Sequence, residues 1–371
     1  MKTTVRPLLI ALALAAGAVQ AQDPAPLVIG QTAAFTGPQS EPVKETTVAA
    51  RAYFERLNAK GGVNGRKVVL ESLDDAYDPK RSVENATRLV EERNALALFL
   101  FRGTANAEAM MAVAQDKHVP MFAGVGSSYR MHQPPSRYVF NLRAPVQTEV
   151  TSVVRQLVSQ GARDISVVYT DDGFGKDALE GAKRAFAENK IEPKVVASIP
   201  RGQADVTDAV KKIAAAAPRA TLGFCIPKTC AAIVKGLREK GSITEFVSLS
   251  NTSSTAYVEE LGSYSRGVMV TQVMPYPFDS RDAVSVEFQQ FARDAQLKPS
   301  YAAMEGWLSA RVLAEALRRA GPKVTRESLV TAFESLNLNL GGFNVAYSPR
   351  TRTGSEFVEL TMISKNGRFI R

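Results

Sequence analysis

The chain has 371 residues, 45% of them hydrophobic and 22% charged, with a formal net charge of +9. That length is too great for one ordinary core and predicts about two domains, and the composition is that of a soluble globular protein. The basic residues are dispersed, with no Lys/Arg block interleaved with aromatics, so the charge reads as a solvated basic surface and argues against a nucleic-acid partner.

The first 21 residues read as a segment to be removed. Lys2 and Arg6 make a short positive region, and "LLIALALAAGAV" from Leu8 to Val19 is an apolar run too short to span a bilayer. Val19-Gln20-Ala21 then sets small residues at the −3 and −1 positions of a cleavage site. This is the pattern of a secretory signal peptide and predicts a periplasmic protein of charge +7 once Lys2 and Arg6 are lost. No cysteine stands at the predicted mature N-terminus, where Gln22 follows the site, so no lipid anchor is implied, and no other segment is long and apolar enough for a membrane span.

From Leu27 onward strands and helices alternate. "LVIGQT" reads as a buried strand. "KETTVAARAYFERLNAKGG" reads as an amphipathic helix capped at Gly61-Gly62, and "KVVLESLDD" as a second strand. Asp78-Pro79 predicts the start of a helix through "RSVENATRLVEER". "ALALFLF" is the next strand, "ANAEAMMAVAQDK" the next helix and "VPMFAG" the strand after it. A second series follows. Helices are expected over 147–160, 175–189, 205–216, 229–240 and 255–261, with "DISVVYT", "PKVVASI", "ATLGFCI" and "EFVSLS" as strands. Helices over 282–295, 300–321 and 325–336 and a strand in "FVELTMIS" complete the chain. Strands separated by helices of this length imply βαβ units and parallel sheets, here in two similar lobes. Crossovers between the lobes are expected near Arg143–Gln147, Met274–Phe278 and Ser348–Thr353. The lobes are then 22–144 with 276–349, and 145–275 with 350–371.

Enzyme chemistry finds little support. His118 and His132 are the only histidines, the first at a helix end, where a cation suits the last carbonyls, and the second in a polar loop. There is no G-x-S-x-G, H-E-x-x-H or P-loop motif, and "GVGSS" lacks the third glycine of a dinucleotide fingerprint. Asp74-Asp75 and Asp171-Asp172 read as loop or helix-start residues rather than catalytic pairs. No catalytic residue, cofactor or metal site is expected. Cys225 and Cys230 are spaced C-x-x-x-x-C, which is not a redox C-x-x-C motif, and no histidine lies near to share a metal. A local disulfide and two free thiols both fit that spacing.

Small polar chemistry recurs instead at strand carboxyl ends: Arg102-Gly103-Thr104, the stretch 124–128, the stretch 171–175, and Ser250-Asn251-Thr252. Taken alone, Thr104, Ser127 and Asn251 each suit helix capping. Four such loops split between two lobes predict a binding cleft, because open α/β sheets bind ligands outside strand carboxyl ends. Free N–H groups at the helix starts there suit an anion.

The segments "IGQTAAFTGP" (29–38), "NAKGGVNGRKV", "DDAYDPKRSVENA" and "VVYTDDGFGKDALEGAKRAF" (167–186) resemble the type I periplasmic solute-binding proteins of ABC transporters, specifically the leucine/isoleucine/valine-binding group. The resemblance spans nearly all of the chain beyond residue 21. It implies an α/β fold of two Rossmann-like lobes joined by three crossovers, closing on a solute that an inner-membrane permease imports. It also implies a monomer. A chemoreceptor or sensor kinase is the alternative partner for the closed lobes.

Carried over by position, the hydroxyl that meets an amino acid's carboxylate falls on Thr104, with further contacts at the Val125 backbone and Ser127. The aromatic wall of the second lobe falls on Phe174, and a lining position near the later crossover on Tyr301 or Ala302. Pro42 stands where branched-chain binders have an aromatic residue. The acidic residue expected to meet the ligand's ammonium is replaced by Ser250, and Arg102 adds a cation beside the carboxylate hydroxyl. The implied pocket leans towards a carboxylate with no obligatory ammonium. An amino acid fits if Asp171, Asp172 or Glu305 supplies the missing acid.

Overall fold

A computed structural model describes residues 24–125 and 128–371. The expected signal peptide and Ser127 lie outside the described residues.

The first sheet holds β1 (Leu27–Ala33), β2 (Val68–Asp74), β3 (Leu98–Phe99), β4 (Met121–Phe122) and β5 (Val139–Phe140), all parallel, in the order β2-β1-β3-β4-β5. Helices α1 (Ser40–Ala59), α2 (Pro79–Glu91) and α3 (Thr104–Asp116) connect its first four strands. α2 starts where the sequence predicts: the Asp78 carboxylate accepts from Lys80 N and Arg81 N, and Pro79 stands at a position that needs no donor. The strand read over "ALALFLF" is shorter than expected. Leu98–Phe101 is buried throughout, but Leu100 takes φ +49 and its neighbour-strand counterpart Ala123 takes φ +59, so the ladder breaks after Phe99. The backbones meet again at an isolated bridge between Arg102 and Val125.

The second sheet is built from β6 (Ile165–Asp171), β7 (Val196–Pro200), β8 (Ala220–Phe224), β9 (Glu245–Ser248) and β10 (Met269–Gln272), which run parallel. Around it lie α4 (Val146–Ser159), α5 (Gly173–Glu188), α6 (Thr207–Ala216), α7 (Pro227–Glu239) and α8 (Thr255–Leu261). The chain then returns to the first lobe as α9 (Ala283–Asp294), α10 (Tyr301–Arg319) and α11 (Arg326–Glu334). α10 crosses α1 so closely that a Cβ on Gly306 would overlap the Thr46 carbonyl. A hairpin unforeseen from the sequence follows, β11 (Asn337–Leu340) and β12 (Phe343–Ala346), turned at Gly341-Gly342, both at positive φ. The last strands, β13 (Glu359–Ile363) and β14 (Phe369–Ile370), close the second sheet as antiparallel edge strands, giving β14-β13-β10-β9-β8-β6-β7. They are antiparallel because no helix carries the chain back before they pair.

The chain therefore passes between the sheets three times: after β5, after β10 and after β12. The first and third passages are tied together: Asn141 N donates to Arg352 O at 2.7 Å and Gly354 N to Asn141 O at 2.7 Å. His132, read as a loop residue, is buried there, its Nδ1 2.6 Å from Thr353 Oγ1. Burial, together with the Arg143 charge, pushes its imidazole down to about 3, so the ring is neutral at ordinary pH. His118 is exposed and stacks on Tyr138. Cys225 and Cys230 are joined as a disulfide with Cα atoms 5.5 Å apart, tying the strand end after β8 to the first turn of α7. Among the described residues, no helix is long and apolar enough to cross a membrane, and no cluster of His, Cys, Asp and Glu could hold a metal ion.

Candidate functional site

The strand ends of both sheets converge on one interlobe cavity. Its charged and polar wall is Arg102, Arg143, Ser250, Asn251 and Glu305, and its apolar wall includes Pro42, Val273, Met274, Tyr301 and Ala302. The free space at its centre is about 20 Å³, room for about one water. The lobes are thus drawn together, and a larger ligand enters only if they separate.

Arg102 reaches the cavity because the buried run Leu98–Phe101 brings the chain to the sheet's carboxyl edge. Gly103 then turns it into α3 at φ +97, where a Cβ would strike the Tyr77 ring. Arg102 is 6% exposed. Its Nε donates to Gln39 Oε1 at 2.9 Å, and its Nη2 crosses to the other lobe to donate to Asn251 O at 2.7 Å. Both partners are neutral. Burial lowers this group to about 10, with the Glu305 charge opposing, so it stays charged at neutral pH.

Arg143 stands in the first passage between the lobes and was not singled out in the sequence. It is 2% exposed, donates from Nη2 to Ser250 Oγ at 2.9 Å and lies with Nε 3.2 Å from Glu305 Oε1. Glu149 was also missed. It sits beneath Ser250, accepting from Ser250 N at 2.9 Å, Ser250 Oγ at 2.8 Å and Thr271 Oγ1 at 2.6 Å. The available signals were an arginine inside the short, largely apolar crossover "LRAPV" and a glutamate on the apolar face of α4 beside Val146, Val150 and Val153.

Of the residues expected at the site, Arg102, Ser250 and Tyr301 line this cavity, as does Ala302. Tyr301 opens α10 and donates its hydroxyl to Glu359 at 3.1 Å, and burial raises its phenol far above the usual range. Thr104, Val125 and Phe174 are buried but do not line the cavity. Thr104 starts α3 and lies across the cleft against Gly173, where a Cβ would come within 3.3 Å of its methyl. Val125 spends both backbone groups on the sheet edge: its N–H donates to Phe101 O at 2.9 Å and its carbonyl accepts from Gly103 N at 3.0 Å. Phe174 packs into the second lobe's core at the start of α5.

The carboxylates weighed as replacements for the missing acid also separate. Asp171 is exposed and paired with Lys176 at 2.8 Å. Asp172 caps α5 through Gly175 N. Only Glu305 faces the cavity. Asp74 and Asp75 organise the loop after β2, Asp74 accepting from Phe35 N, Thr36 N and Ala76 N, and Asp75 from Thr32, Ser82 and Tyr77 N.

Direct contacts close the cleft around this cavity. Thr255 N and Oγ1 donate to Glu45, Tyr129 N donates to Asp177, and Arg201 lies 5.7 Å from the Tyr77 ring centre. Tyr77 as a whole is half-buried, but its phenol is enclosed. Burial first, then the Asp172 charge, pushes it up to about 12.

Two α/β lobes, each a largely parallel sheet wrapped by helices, meet over a polar cavity and are joined by three crossovers. The family model described as "Periplasmic binding protein" matches residues 26–368, and the chain belongs to that family. A substrate-binding periplasmic protein from Ralstonia solanacearum is 31% identical, with a TM-score of 0.87 over 93% of this chain and 99% of its own. An "Amino acid binding protein" of Pseudomonas aeruginosa is 23% identical over 260 residues, 67% of each chain. A "Leu/Ile/Val-binding protein homolog 1" of Brucella abortus is 20% identical over 307 residues, 82% of this chain and 81% of that one. The expected family and fold are therefore found, in a family of solute-binding proteins rather than of enzymes.

Proposed function

We propose that this protein is the periplasmic solute-binding component of an ABC importer, exported by residues 1–21 and acting as a monomer. It captures a small carboxylate-bearing solute, an amino acid or an organic acid, between lobes 22–144/276–349 and 145–275/350–371, and hands it to an inner-membrane permease. The observation that carries the reading is a pair of buried guanidiniums, Arg102 and Arg143, in the wall of an interlobe cavity. A planar, permanently charged fork is the side chain best matched to a carboxylate. The strand-end setting and the relatives' binding roles agree with it. Solute entry separates the lobes, and closure restores contacts such as Arg102 to Asn251 and Thr255 to Glu45 around the bound molecule.

A thermal-shift screen of amino acids and organic acids tests this reading. A carboxylate at about 100 times its Kd should add about 2.7 kcal/mol of stability. A screen in which neutral solutes such as sugars or amides shift the melt, and no carboxylate does, would overturn it.

A further inference from the structure

We propose that the solute is an organic carboxylate without an ammonium group, held by the Nη1 edges of Arg102 and Arg143. This rests on the carboxylate reading above and narrows it.

The inference comes from an inventory of charge around the cavity. On the cationic side are two guanidiniums, each more than nine-tenths buried. Arg102 binds only neutral oxygens, through Nε and Nη2. Arg143 uses Nη2 on Ser250 and turns Nε towards Glu305. Among the described residues, Nη1 of both has no hydrogen-bond partner, and both residues line the cavity. Each is a charged N–H donor that opens onto the cavity, whereas the enclosed donor left without a hydrogen-bond partner is Arg143 Nε, which faces Glu305 Oε1 at 3.2 Å. A carboxylate, with two oxygens and about four lone pairs, satisfies both Nη1 donors at once.

On the anionic side only Glu305 is left to meet an ammonium. Glu149 is sealed below the floor with three donors from Ser250 and Thr271. Glu45 is engaged by Thr255. Asp171 and Asp172 are committed to Lys176 and to the α5 cap, away from the cavity. Glu305 alone faces the cavity, and it is the carboxylate paired with Arg143. An ammonium taken up by Glu305 would compete with that buried guanidinium and set two cations side by side. The ligand that completes the set brings negative charge and no positive charge. Met274, Val273 and Pro42 give its remainder an apolar wall, which suits a compact aliphatic or aromatic tail.

Matched pairs that differ only in the ammonium provide the test: 4-methylpentanoate against leucine, and 3-phenylpropanoate against phenylalanine. Each is titrated calorimetrically into the purified protein after co-purified solute has been removed. The des-amino acid of at least one pair should bind ten-fold or more tighter than its amino partner. Tighter binding of the amino acids would overturn this inference while leaving the carboxylate reading standing. Binding of neither member of either pair, while neutral solutes bind, would overturn both. Glu305→Gln gives an independent readout, with circular dichroism checking its fold. Removing the charge that competes for Arg143 should tighten des-amino acid binding several-fold and leave amino-acid binding no weaker, whereas loss of amino-acid binding in this variant would assign Glu305 to an ammonium and overturn the inference.

Discussion

The two sides of the interlobe contact are built on opposite principles. On one side Arg102, Arg143, Ser250 and Glu305 enclose a cavity with charge and leave donors directed at it. On the other, Thr104 meets Gly173 and Tyr77 lies under Arg201, so the lobes touch with almost no space between them. Both begin from one loop, since Arg102 and Thr104 are two residues apart on either side of Gly103. A side chain preceding the turn and one following it face different parts of the cleft. Proximity in sequence therefore does not make two residues part of one binding surface.

The contrast can be broken by substitution. Arg102→Gln should have the largest effect on binding: loss of a charge-assisted hydrogen bond costs about 1.5–3 kcal/mol, a ten- to hundred-fold weaker Kd by calorimetry. The ligand-free melting temperature should move little, because the variant also removes a buried charge. Tyr77→Ala should show the reverse pattern. Truncating a half-buried aromatic ring should cost about 2 kcal/mol in a denaturant titration, below the loss for a fully buried one. Its effect on affinity should track the lost closure contact rather than the charge of the ligand.

The tied passages between the lobes give a pH prediction of similar size. His132 lies far below its unfolded value of about 6.5, at about 3, because burial and then Arg143 disfavour its charged form. The unfolded chain therefore binds the proton more readily than the folded one. Its contribution is complete above about pH 6.5 and is lost as pH falls towards 3, roughly 2 kcal/mol between pH 7 and pH 5. His132→Gln should flatten that part of the pH–stability curve, and an unchanged slope would assign the acid sensitivity to other groups. Thr104→Val should have the smallest effect. It keeps the methyl beside Gly173 and removes a hydroxyl that does not line the cavity, so a cost of about 1 kcal/mol should appear in stability and carboxylate affinity should stay nearly unchanged. A loss as large as that of Arg102→Gln would erase the distinction between the two sides.

Much of the architecture was legible. Apolar periodicity, the Asp78-Pro79 start and the glycine stops marked the βαβ units, and the elements that were expected are found within a few residues, whereas the strands β5, β10, β11, β12 and β14 were not foreseen. The hairpin at Asn337–Ala346 was missed because its strands are short and half polar, with only Gly341-Gly342 to mark the turn. The antiparallel strand β13 carries no local mark of its direction, since strand direction depends on the path of the connection. Of the site, Arg102, Ser250 and Tyr301 were found by their places at strand and helix ends. Arg143 and Glu149 were not, because each sits in an element whose other residues report only on packing.

The amino-acid sequence by itself determined the two-lobed α/β class, the family and the strand ends at which polar groups gather, because these follow from periodicities and caps written over a few turns of chain. Only the tertiary structure decided that Cys225 and Cys230 pair, that Thr104 faces Gly173, and that Glu305, Arg143, Ser250 and Glu149 form one chain of polar contacts. Those four residues span positions 143 to 305, and the three crossovers alone bring them together. Whether a buried charge has a counter-ion is set by distance in space, on which electrostatic energy depends, and not by separation along the chain.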